Sequence, residues 1–189
     1  MKLNSPSKTL ALAVMAAGLA MPVAAADYRF LDGGVVDREG SDMGVRLAGS
    51  ADVTYPVAAF GEVVDAGVYE QLSAGLMYHA PVGTGVDFNV GGSLEAVDAG
   101  NQDDTGLGVR AGLRWFVPET RGLELSPEVR HVRIFDTSIT SIRAAALFPV
   151  TRQLLMAGAL QGGDDDRVEL GVRYNFGAPA ADAGRTPTY

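Results

Sequence analysis

The sequence predicts an all-β chain: an up-and-down antiparallel transmembrane barrel of about ten strands, with eight as the alternative. Three observations predict it. Arg167 to Phe176 alternates polar and apolar residues without a break and finishes on an aromatic. The first 26 residues have the make-up of an export leader, and two kinds of turn alternate strictly along the rest of the chain. Side chains of a strand point in turn to its two faces, so one apolar row marks one face that avoids water. In a soluble sandwich a second sheet covers that row; in a transmembrane barrel lipid covers it and the polar row faces the lumen.

The leader comes first in the chain. Lys2 and Lys8 give a positive start, Leu10 to Ala20 is apolar, and Val23-Ala24-Ala25-Ala26 supplies the small residues of a cleavage site. The apolar run is well short of the ~20 residues of a spanning helix. Residues 1–26 are therefore expected to be a signal peptide, cleaved before Asp27. The leader holds both lysines and no acid, so the chain beyond it has 13 arginines against 23 acids, a net charge of −10. Such a chain repels nucleic acid. With no cysteine there are no disulfides, thiolate metal sites or cysteine nucleophiles. The 163 residues that remain suit one domain. The 24 glycines of the full chain fall largely in the strand-like segments, as expected where backbones crowd in a small barrel.

The turns divide the segments in order. Acidic ones are Asp37 to Asp42, Asp65-Ala66-Gly67, Asp98 to Thr105, Asp136-Thr137-Ser138 and Gly162 to Asp166. Between them fall turns with proline beside a bulky residue: Tyr55-Pro56-Val57, Tyr78 to Pro81, Trp115 to Pro118 and Phe148-Pro149-Val150. In a meander, alternate turns lie at opposite ends of the sheet. Five acidic and four proline turns divide the chain into ten strands, with both termini at the proline end. The first segment, near Tyr28 to Val36, breaks phase. The second alternates cleanly, Val45, Leu47, Gly49, Ala51, Val53 and Tyr55 against Arg46, Ala48, Ser50, Asp52 and Thr54. So do Val86 to Glu95, with Asp87 and Glu95 on the polar row, and Leu107 to Trp115, with Arg110 and Arg114 there. Leu123 to Ile134 and Ser138 to Ile142 break phase again, and bulges or glycine kinks are expected in these segments. The last strand puts Arg167, Glu169 and Arg173 opposite Val168, Leu170, Val172, Tyr174 and Phe176. A lipocalin-like barrel would have its apolar row inside, which these charged rows exclude. Aromatics gather at the proline end, where Tyr55, Tyr78, Trp115, Phe148, Tyr174 and Phe176 would form a membrane girdle.

The leader, the alternating hairpins and the closing R-V-E-L-G-V-R-Y-N-F strand together resemble the small outer-membrane β-barrels of Gram-negative bacteria. The resemblance is to the OmpA-like transmembrane barrels and their ten-stranded relatives, over residues 27–176. It implies an outer-membrane location and folding by the barrel-assembly machinery, which reads an aromatic strand end like Phe176. Gly177 to Tyr189, rich in Ala, Pro and Gly, departs from the pattern and would be a flexible periplasmic tail. One barrel type serves anchors, adhesins, enzymes and pores, so the resemblance speaks to architecture.

Candidate chemistry is sparse. His79 stands two residues before Pro81 at the girdle end, where an amphipathic ring suits an interfacial place. His131 lies near Glu124, Ser126 and Glu128, but without the spacing of a catalytic constellation, so no enzymatic activity is expected. A lipid- or peptide-hydrolysing barrel would be built on His131. Asn101 to Gly106 imitates the start of a calcium loop, yet Gly112 stands where the bidentate Glu belongs. Asp164, Asp165 and Asp166 are weak metal candidates, and no metal or cofactor is expected. The lumen charges predicted from phase are Arg46, Asp52, Asp87, Glu95, Arg110, Arg114, Arg167, Glu169 and Arg173. Guanidinium forks and carboxylates satisfy one another and fill a narrow barrel. Ten strands lie near the closed end of the range between a filled interior and a channel. The expected role is structural or surface-interacting in a monomer with a plugged lumen; the alternative is a narrow channel for small solutes or ions. Expected partners are outer-membrane lipid and lipopolysaccharide, bridged by divalent cations to the acidic turns, and the assembly machinery, with no nucleic acid.

Overall fold

The computed structural model describes residues 28–176. The expected signal peptide and the segment 177–189 lie outside the described residues. Ten strands follow in order: β1 (Phe30–Arg38), β2 (Gly44–Thr54), β3 (Val57–Ala66), β4 (Tyr69–Gly83), β5 (Val86–Ala99), β6 (Gln102–Phe116), β7 (Glu124–Ile134), β8 (Thr137–Pro149), β9 (Leu154–Gly163) and β10 (Arg167–Asn175). Each pairs antiparallel with its chain neighbours, and β1 closes on β10 with Phe30 opposite Asn175 and Arg38 opposite Arg167. Closure leaves no strand edge unpaired. The protein is an all-β, ten-stranded, up-and-down barrel.

The five connections of the acidic set lie at one end and the other four at the opposite end, as the meander requires. One turn is displaced from its expected place. β4 runs on through Tyr78–Pro81, and the chain reverses instead at Thr84–Gly85, where Gly85 has φ +69°. Pro81 has no N–H to give the ladder, and the pairing with β5 shifts between Pro81 and Gly83.

The expected bulges in the phase-breaking segments are absent. Register is continuous along β1, β7 and β8, and shifts occur at Asp52/Thr54 and at Pro81/Gly83. What breaks the phase is the content of the interior. Val36, Val64, Ala66, Val97, Val132 and Ile134 point inward near the acidic-turn end and are buried there, so these strands carry apolar residues on the row that is charged elsewhere.

Glycines face each other where β1 meets β10. Gly34 faces Gly171 across the pair; a Cβ on Gly34 would run into the Leu170 carbonyl oxygen, and one on Gly171 into that of Gly33. Glycine is what lets these backbones approach. The outer face is apolar and open: Leu76, Leu94, Leu107, Val109, Met156, Leu160 and Leu170 are all more than half exposed. A row this apolar and this exposed is the surface a barrel offers to lipid.

Candidate functional site

The interior is the place where chemistry collects, because the strand period sends the charged rows of β2, β3, β6, β7 and β10 to the same side. All nine predicted lumen charges point inward. Asp52, Glu95, Arg110, Arg114, Arg167, Glu169 and Arg173 are buried, and Arg46 and Asp87 are half-buried. The six predicted girdle aromatics are exposed on the outer face at the proline end, Tyr55 at 68% and Tyr174 at 39%. Tyr174 and Phe176 meet edge to face at 4.9 Å.

The ion pairs do more than follow the walls. Glu62 on β3 takes Arg46 of β2 at 2.7 Å, and approaches Arg130 of β7 at 3.4 Å and Arg167 of β10 at 3.7 Å. Neither β7 nor β10 is a neighbour of β3 in the sheet order, so these contacts cross the barrel. Nearer the proline end, Arg114 grips Glu124 with two parallel bonds, Nε to Oε1 at 2.8 Å and Nη2 to Oε2 at 2.9 Å. Arg173 reaches across to the same Glu124 at 3.3 Å and binds Asp32 on β1 at 2.8 Å. Arg143 and Arg167 both hold Glu169, at 2.7 and 3.3 Å. Glu95 is enclosed by Ser73, Ser93 and Arg130. Aromatic rings flatten the remaining guanidinium faces, Phe30 under Arg173 at 4.0 Å and Phe60 under Arg110 at 4.1 Å.

Between these pairs lies a cavity of about 80 Å³. Arg46, Arg110, Arg114, Arg130, Arg143, Arg167 and Arg173 line it, with Glu62 and Glu128 as the lining acids. Arg110 Nε and Nη2 and Arg130 Nε make no hydrogen bond to the protein, although both guanidinium groups are more than nine-tenths buried. The cavity is a field of donors with few acceptors. It is closed toward the acidic turns by the apolar layer, where Tyr69 packs against both Val36–Val64–Ala66 and Val97–Val132–Ile134. Arg38 lies over the outer side of the Tyr69 ring at 3.9 Å and binds Asp165 at 2.8 Å.

Phase alone missed Asp32, Glu62, Glu124, Arg130 and Arg143. Their strands mix apolar and charged residues on the inward row, as in Ala58, Phe60, Glu62, Val64 and Ala66, so alternation gave no reading. The available signal was the lone charge inside an apolar run, since an acid such as Glu62 between Phe60 and Val64 on its row needs an arginine partner.

The two histidines part company. His79 is at the girdle level as expected but faces inward, 5% exposed, stacked on Tyr28 at 4.0 Å with Asp52 at 3.7 Å from Nε2. The inward row of β4, with Gln71, Ser73 and Met77, carries it there. His131 faces outward, whereas Glu124 and Arg130 on the same strand are buried inside. Glu124, Ser126 and Glu128 therefore stand on the other side of the wall from it. Asp164, Asp165 and Asp166 diverge: Asp164 accepts from Thr140 N, Asp165 from Arg38 and Gln161, and Asp166 from Gly163 N. Among the described residues no three His, Asp or Glu side chains converge as a metal site.

No protein-family model matches the chain, and no characterised protein matches it in sequence. Solved structures do. The chain is similar to KdgM porin, with a TM-score of 0.52 at 12% identity, over 78% of this chain and 99% of that one. Its fold resembles that of a porin. A second structure, of KdgM porin in complex with disordered oligogalacturonate, aligns with a TM-score of 0.52 at 11% identity over the same shares. De novo designed transmembrane β-barrels align at a TM-score of 0.39. The likeness is one of architecture.

Proposed function

We propose that the protein is a bacterial outer-membrane barrel, related in architecture to the OmpA-like and ten-stranded barrels, whose resting lumen is closed. The exposed apolar outer face, the aromatics at one end and the porin-like fold support the location. The observation that carries the closed lumen is the set of ion pairs that cross it, Glu62 to Arg130 and Arg167, and Glu124 to Arg173. In this reading the apolar layer above them adds a second barrier. The role is then structural or surface-interacting, and no catalytic role is assigned.

A second reading has its own support. The arginine-lined cavity and the unused donors of Arg110 favour a narrow channel that passes small anions when the pairs part. KdgM porin, of similar fold, has been solved with oligogalacturonate, itself an anion. Planar-bilayer recording of the refolded protein separates the two. The closed barrel predicts no steady current at neutral pH; a steady current selective for chloride over potassium replaces it with the channel.

A further inference from the structure

Among the described strand arginines, every one turns into the barrel except Arg133. It stands on the outward row of β7 with His131, in line with Leu125 and Val129. Their cross-strand partners on β8 are Ser138 and Thr140, which are exposed as well. Four polar side chains thus form one block on the outer wall. Its borders are apolar: Leu107 and Val109 on β6 lie directly opposite Arg133 and His131, and Ile142 follows Thr140 on the outward row of β8.

The height of the block is set by the β6 register. Leu107 to Trp115 is close to the ~9–11 residues with which a strand crosses a bilayer core. Arg133, opposite Leu107, therefore stands where the apolar core gives way to head groups on the acidic-turn side. Elsewhere on the barrel Asp65 on β3 and Asp98 on β5 are also exposed toward the acidic-turn end. Arg133 makes no ion pair among the described residues, so its charge is open to an external anion. His131 is oriented for the same purpose. Its Nδ1 lies 2.8 Å from the Thr140 hydroxyl, and with that hydroxyl donating, Nε2 carries the hydrogen and is free to donate.

We propose that this block binds a phosphate group of an acidic membrane lipid. The Arg133 fork takes the phosphate oxygens, with His131 Nε2 and the Ser138 hydroxyl donating beside it. Free phosphate would use the polar block alone; the bordering Leu107, Val109 and Ile142 offer the acyl chains of a lipid a surface directly beneath the phosphate. The inference rests on the outer-membrane reading.

The test uses the refolded chain in phosphatidylcholine vesicles containing either lipid A or its dephosphorylated form, with chelator present throughout so that no divalent cation can bridge. Native mass spectrometry reads the lipid retained. The wild type is expected to prefer the phosphorylated lipid by about fivefold or more. Arg133→Leu, which extends the apolar row and leaves the interior untouched, is expected to abolish the preference, and Arg133→Lys to keep part of it. A wild type with no preference, or an Arg133→Leu variant that keeps all of it, overturns the inference. Failure of the wild type to insert, read as loss of heat-modifiable electrophoretic mobility, overturns the outer-membrane reading itself.

Discussion

Leu113 and Arg114 are adjacent in the chain and live in opposite solvents. Leu113 lies on the outer face beside Trp115; Arg114 is 4% exposed and holds Glu124 with two short bonds. A charge in place of Leu113 meets the apolar side of a membrane barrel, but only one outward step from the girdle, so Leu113→Arg is expected to cost about 1–2 kcal/mol rather than the larger midplane figure. Arg114→Leu leaves Glu124 buried with Arg173 alone at 3.3 Å. Breaking one member of a buried pair costs about 3–5 kcal/mol. Urea unfolding in phospholipid vesicles checks both, and equal costs would contradict the assignment of faces.

At the scale of the element, the strands differ in how legible they were. β2, β5, β6 and β10 alternate cleanly over the stretches that carry their lumen charges, so those charges could be read from period alone. β1, β3, β7 and β8 could not be read so, because their inward rows pass from charged pairs into the apolar layer under the acidic turns. In β7 the inward row changes from Glu124 and Arg130 to Val132 and Ile134, while the outward row changes the other way, from Leu125 and Val129 to His131 and Arg133. A bulge would explain such a pattern from sequence; the structure shows two environments stacked along one unbroken strand. The ten-strand count survived this because it came from the turns, whose chemistry does not depend on which way a side chain faces. The layer has its own test. Tyr69 is partly buried and bridges the two apolar clusters, so Tyr69→Ala should lower stability by less than the ~3–5 kcal/mol of a fully buried aromatic. In planar bilayers it should also bring brief current events that Tyr69→Phe lacks. A silent Tyr69→Ala would place the seal in the ion pairs alone.

For the molecule as a whole, charge is divided by height. Arginines and their partner acids fill the interior, and a second set of acids gathers at one rim: Asp42, Asp164, Asp165 and Asp166 in the connections there, Asp65 at the end of β3, and Asp103 and Asp104 at the start of β6. We propose that Mg²⁺ or Ca²⁺ bridges part of this rim to lipopolysaccharide phosphates, since hard cations favour carboxylate and phosphate oxygens. The turn geometry divides the rim into two groups. Asp104 caps Thr105 N and Phe135 N, Asp164 accepts from Thr140 N on the neighbouring β8, Asp166 accepts from Gly163 N in its own hairpin, and Asp165 is drawn inward by Arg38 and Gln161. Replacing these by Asn should loosen the hairpins with or without cation. Asp42, Asp65 and Asp103 are exposed and are the ones expected to meet lipid. Thermal unfolding in lipopolysaccharide-containing bilayers distinguishes the groups: chelator should lower the wild-type midpoint, and should lower it less once Asp42, Asp65 and Asp103 are all Asn. If the triple variant responds to chelator as the wild type does, these carboxylates take no part in a bridge, and the rim acids serve the turns alone.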